Sequence, residues 1–126
     1  MDMQTADMVR REGEQAEHVS AQRRVAPLVD VYENVDELML LMDVPGVEDE
    51  GLSIQLDGGK LDLEARQNIP DEAQQAFPPV VFARSFTVPS SIDAARVSAE
   101  IHAGVLKIHL PKSEAAKPRR IEVTAG

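Results

Sequence analysis

The chain has 126 residues, with 22 acidic against 13 basic side chains and a formal net charge of −9. That length carries one hydrophobic core rather than two, and the acidic balance disfavours nucleic-acid phosphates as partners and serves solubility. With no cysteine and no tryptophan in the sequence, disulfides, thiolate metal sites and thiol catalysis are excluded, and the core has to be built mainly from Val, Ile, Leu and Met. The longest apolar run, Leu38 to Met42, is far below a membrane span, and no secretory apolar region opens the chain. A cytoplasmic protein without membrane contact is the expectation.

In chain order, residues 1–26 read as a polar N-terminal arm. Met3, Met8, Val9, Ala16 and Val19 are scattered along it without forming a stripe. Thr5 or Asp7 could cap a short helix, but Gly13 weakens it, and so short a helix is marginal in water. The arm is expected to be mobile, or ordered only on contact with a partner.

Residues 27–111 carry the strand signals. Leu28 to Tyr32 is a short strand. Glu37 to Val44 follows, with Leu38, Leu40, Met42 and Val44 on one face and Met39 and Leu41 on the other, ended by Pro45-Gly46. Glu48-Asp49-Glu50 reads as a solvated turn. Leu52, Ile54 and Leu56 alternate with polar residues, Asp57-Gly58-Gly59-Lys60 is a hairpin turn, and Leu61, Leu63 and Ala65 continue the alternation. Arg66 to Pro79 contains Pro70, Pro78 and Pro79 and is a loop. Val80 to Val88 places Val80, Phe82, Arg84, Phe86 and Val88 on one face. After Pro89, Asp93 or Ser91 can start a single helical turn through Ala95. Arg96 to Ile101 and Val105 to Leu110 are the last strands, joined at Ala103-Gly104. Six or seven short strands with almost no helical periodicity predict an all-β antiparallel sandwich, with a barrel as the structural alternative.

Residues 112–126 form a charged tether followed by Ile121-Glu122-Val123, whose two apolar side chains point the same way in an extended segment.

No constellation for catalysis or for a cofactor emerges. His18 lies in the arm, His102 flanks a turn, and His109 alternates with apolar residues and so should face solvent. There is no histidine pair at metal-ligand spacing, no nucleophile elbow, and no phosphate-cradling loop at Gly58-Gly59, because no helical pattern follows it. Arg84 is the one discordant charge on an apolar strand face. It reads either as an exposed edge-strand arginine or as half of an ion pair across a subunit contact.

Several segments resemble the small heat-shock proteins, the α-crystallin family. Ala99 to Leu106 is similar to the family's Ala-x-x-x-Asn-Gly-Val-Leu signature. Pro27 to Glu33 resembles its opening strand, Asp43 to Val47 its Pro-Gly turn, Ala83 to Pro89 the strand bearing its characteristic arginine, and Ile121 to Val123 its C-terminal anchor. The resemblance implies an immunoglobulin-like β-sandwich over 27–111, an ATP-independent holdase that binds partly unfolded clients, and assembly through homodimers into larger oligomers. It further implies that Ile121 and Val123 dock in a groove lined by Leu52, Ile54, Val97 and Ala99. A dimer contact at Val80, Phe82, Arg84 and Phe86 and client binding through Met3, Met8 and Val9 complete the expectations. No enzyme activity, cofactor or metal is implied. Two departures stand out. Ala103 replaces the usual Asn, and 66–79 lacks the extra strand with which bacterial and plant relatives cross to a partner subunit. The rival class is a β-sandwich interaction module or co-chaperone-like scaffold with one defined partner.

Overall fold

The computed structural model describes residues 23–126. Eight strands form: β1 (Arg23–Val25), β2 (Val29–Glu33), β3 (Glu37–Asp43), β4 (Val47–Asp57), β5 (Lys60–Gln67), β6 (Val80–Thr87), β7 (Ser98–His102) and β8 (Val105–Pro111). They make two four-stranded sheets of order β1-β6-β5-β4 and β2-β3-β8-β7. All pairings are antiparallel except the short parallel pairing of β1 with β6. This is the predicted sandwich, not the barrel.

The core follows from period-2 alternation. Leu40, Met42 and Val44 of the β3 segment, Leu61, Leu63 and Ala65 of β5, and Leu106, Ile108 and Leu110 of β8 are buried between the sheets. Their alternating neighbours are polar or half-buried on the outer faces.

Two features differ from the sequence reading. First, β1 falls within the residues expected to belong to the arm. Three residues, Arg-Arg-Val, show no period; they are extended because Val80–Phe82 offers them a ladder, a tertiary cause invisible locally. Second, Glu48-Asp49-Glu50 is not a turn but part of β4. The register passes from Val47↔Gln67 to Leu52↔Ala65, so four residues face Arg66 alone, a bulge. Gly51 makes it possible: a Cβ there would stand 2.3 Å from the Arg66 carbonyl oxygen. The expected single helical turn forms as a 3-10 turn at Ala94–Arg96, capped by the Asp93 carboxylate accepting from the Ala95 N–H at 3.1 Å.

The loop after β5 holds a 3-10 turn, Asp71–Ala73, and no strand. It folds back on its own sandwich. The Gln67 side chain donates to the Pro45 carbonyl and accepts from the Val80 N–H, and the Asn68 N–H donates to the Gly46 carbonyl.

The β7–β8 turn shows what the Asn-to-Ala departure costs. Ala103 has φ +51° and Gly104 φ +75°, the positive pair that a tight type I′ hairpin requires. Alanine meets steric opposition there, whereas asparagine tolerates it. Ala103→Asn is therefore expected to stabilise the domain by about 1 kcal/mol, read as a raised midpoint in denaturant unfolding.

Candidate functional site at the sandwich edges

A stack of two open sheets keeps lateral edges, where unpaired backbone groups remain available. β4 and β7, the outer strands of the two sheets on one side, lie against each other. A cavity of about 290 Å³ opens between them, lined by Ile54, Val97 and Ala99 of the expected groove together with Leu56, Ala94 and Ser98. Leu52 packs against the core but is not in this lining; the groove is centred one alternation further along β4, on Ile54 and Leu56. A second cavity, of about 470 Å³, continues it past Leu56 and Ala94 to Gly58, Val88 and Ile92. Arg96 fixes the groove wall. Its guanidinium bonds the Asp93 carboxylate at 3.0 Å and the Lys112 carbonyl at 3.1 Å, while the Asp93 N–H donates to the Pro111 carbonyl.

The anchor residues are not in this groove. Ile121 is 82 % and Val123 90 % exposed. The tether runs toward the turn between β2 and β3. Lys112 Nζ donates to the Glu33 carboxylate and the Asn34 carbonyl, both at 2.8 Å, and Lys117 Nζ lies 2.8 Å from Glu114 and 3.6 Å from Asp36. That turn sits beside β2, the outer strand on the side of the second sheet away from β7. The tail therefore leads away from its own groove.

On the opposite side, β6 is only half covered. β1 pairs with Val80, Val81 and Phe82, leaving Ala83 to Thr87 paired with β5 alone among the described residues and open on the other side. Of the four expected dimer-contact residues, Phe82 is a core residue at 8 % exposure and Val80 lies under β1, so the open half carries only Arg84 and Phe86.

Arg84 is not the exposed edge-strand arginine of one reading, and its hydrogen-bond partner within the chain is a backbone carbonyl. Arg84 lies on the inner face, opposite Leu63, half-buried. Its Nη1 donates to the Pro27 carbonyl at 2.7 Å, and its guanidinium stands 5.3 Å over the Phe86 ring. Pro27 lies in the crossover between β1 in one sheet and β2 in the other, so Arg84 ties the two sheets where the chain enters the sandwich. Period-2 reading placed the residue on the correct face but held no sign of a carbonyl 57 residues away.

His109 is half-buried rather than free in solvent. Nδ1 lies 3.1 Å from Glu37 and Nε2 3.6 Å from Glu100, so one ring links β3, β8 and β7 on the outer face. Among the described residues no His, Asp or Glu cluster is arranged to hold a metal ion, and no helix is long and apolar enough to cross a membrane. Met3, Met8, Val9 and His18 lie outside the described residues.

Removing the Arg84 side chain frees the crossover carbonyl. Arg84→Ala should cost about 2 kcal/mol, the range for a hydrogen bond to a charged group, with faster amide exchange concentrated at 23–28. The tether gives a pH dependence. Its hydrogen bond to Lys117 holds the Glu114 carboxyl below the usual 4.5, and the same bond raises Lys117 above 10.5. A depressed carboxyl contributes above its unfolded value and loses its contribution as pH falls through the folded one. Proton relaxation of the tail is therefore expected to show 114–117 freed on acidification below the ordinary carboxylate range, and again in strong alkali as Lys117 discharges.

Residues 30–124 match the Hsp20/alpha crystallin family. The chain is 31% identical over 104 residues to heat shock protein 16 of Schizosaccharomyces pombe, covering 76% of this chain and 73% of that protein. It is 33% identical over 105 residues to a probable 15 kDa heat shock protein of Leptospira interrogans, covering 80% of each. Among solved structures, a small heat-shock protein of Xylella fastidiosa superposes with a TM-score of 0.60 at 32% identity, over 79% of this chain and 97% of that one. Together with the two-sheet sandwich, these matches show that the chain belongs to the Hsp20/alpha crystallin family of small heat-shock proteins.

Proposed function

We propose that this protein is an ATP-independent holdase that binds partly unfolded polypeptides, delays their aggregation, and assembles through dimers and tail docking. The observation that carries this reading is a mismatch within one chain. An aliphatic Ile-x-Val segment stands exposed, an aliphatic groove stands open, and the tail passes Asp36 beside the β2–β3 turn, away from that groove. Ligand and receptor on one chain that do not meet in that chain favour docking between copies. An extended tail can place alternate side chains in the groove between β4 and β7, with Ile54, Leu56, Val97 and Ala99 as its walls. The uncovered half of β6, Ala83 to Thr87, is the edge proposed to pair with its copy, since 66–79 folds back on its own sandwich and offers no crossing strand. Met3, Met8 and Val9 are proposed client contacts, methionine being adaptable to irregular apolar partners. No catalytic step and no cofactor enter this reading, and the proposed location is the cytoplasm.

The purified chain should suppress aggregation of a heat-denatured client, followed by light scattering, without nucleotide. No suppression at several-fold molar excess would sink the holdase reading and favour the scaffold. Removing residues 117–126, or combining Ile121→Ala with Val123→Ala, should lower the assembly mass measured by light scattering after size-exclusion chromatography. An unchanged mass would remove tail docking from the assembly.

A further inference from the structure

Two arginines followed by an aliphatic residue occur twice in the sequence, as Arg23-Arg24-Val25 and as Arg119-Arg120-Ile121; the third arginine pair, Arg10-Arg11, is followed by Glu12. The first copy is β1, seated on β6. The second lies exposed in the tail.

β1 shows what its seat on β6 recognises. The backbone of Val80–Phe82 supplies a parallel ladder. Arg24 Nη2 reaches across β6 to Glu64 on β5 at 2.8 Å. Val25 packs against the core. Two residues beyond Val25, the Pro27 carbonyl accepts from Arg84 at 2.7 Å. The tail supplies the same groups in the same order. In the register of β1, Arg119 falls beside Val80, Arg120 beside Val81 and Ile121 beside Phe82. Arg120 then faces Glu64, Ile121 adds one methylene to the site of Val25, and Val123 brings a carbonyl to Arg84.

We propose that this edge of β6 is an exchange site, held in its own chain by β1 and open to the Arg119–Val123 segment of a second copy. β1 is suited to displacement. It is three residues long, its arginines are exposed, parallel pairing is slightly weaker per residue, and an exposed ion pair contributes little. The occupant comes from another copy because the chain's own tail runs to the wrong place. Lys117 lies at Asp36, beyond the end of β2, whereas β1 leads within three residues into the start of β2. Arg119 is two residues past Lys117, a reach of about 7 Å; four residue steps of β2 alone span about 13 Å. The site is distinct from the β4–β7 groove, and the two compete for overlapping parts of the tail, Arg119–Val123 here and Ile121–Val123 there.

The cysteine-free sequence makes the test direct. Full-length chains bearing Val80→Cys are mixed with full-length chains bearing Arg119→Cys and oxidised, so that only contacts between copies cross-link. A disulfide-linked pair is expected. Arg24→Gln on the acceptor should raise its yield roughly two- to fivefold, and Arg120→Gln on the donor should lower it by a similar factor, the range set by loss of one exposed ion pair. The pair Ala83→Cys with Glu122→Cys reads the same register if Val80→Cys perturbs folding. Acceptors carrying Ser98→Cys in the β4–β7 groove separate the two readings. Cross-linking at Ser98 with none at Val80 or Ala83 overturns the exchange and leaves groove docking standing. Yields at Val80 indifferent to both arginine changes overturn it as well, and no cross-link at any position removes both.

Discussion

Leu61 and Leu63 of β5 and Leu106, Ile108 and Leu110 of β8 are each at most 2 % exposed, and no polar or charged side chain among the described residues is buried with them. Two aliphatic inner faces meeting across the sandwich are the constraint on which everything else rests. Each fully buried aliphatic side chain contributes about 1.5–3 kcal/mol, and with so few aromatics in the sequence no single large residue can replace the set. Such a core fastens the centres of the sheets. It does nothing for their margins, where backbone groups and half-covered apolar side chains remain.

Each margin is treated differently. At β1 the chain covers half of β6 with its own segment and locks the entry with the Arg84 bond to Pro27. Between β4 and β7 the sheets part enough to leave a groove whose wall is fixed by Arg96, so the opening is a formed feature and not a loose seam. The bulge at 48–51 sends three carboxylates along the edge of β4, a charge arrangement that discourages indiscriminate strand addition. Edges partly closed by the chain itself suit the proposed selective contact through short aliphatic segments.

Alternation made the sandwich readable from sequence. Where one face is buried, as in β3, β5 and β8, apolar and polar residues had to alternate, and those strands end close to their expected bounds. β1 and the first half of β4 were not readable, because neither has a period. One is ordered by a ladder on β6, the other by a bulge that depends on Gly51 lying against the Arg66 carbonyl. Within the candidate sites, the alternation of Leu52, Ile54 and Leu56 was legible, while which of them line the groove with Val97 and Ala99 required knowing where the sheets diverge. Arg84 and His109 show the same boundary. Their strand faces follow from position, but their partners, Pro27, Glu37 and Glu100, are set by packing across the sheets.

The strength of these contacts follows from their size. Two aliphatic side chains entering a groove offer roughly 3–6 kcal/mol before ordering costs are subtracted, and about 4 kcal/mol corresponds to a millimolar dissociation constant. One short ladder with one exposed ion pair is no stronger. Neither proposed tail contact holds two copies together alone. Repeated around an assembly, each docking raises the effective concentration of the next, so the whole can be stable while every single contact opens readily. If both proposed seats operate, a tail that fits them would shift between them without the assembly coming apart, and each shift would uncover apolar surface at the seat it leaves. Aliphatic contacts confined to two or three residues are what permit that turnover; a larger anchor would hold one seat closed.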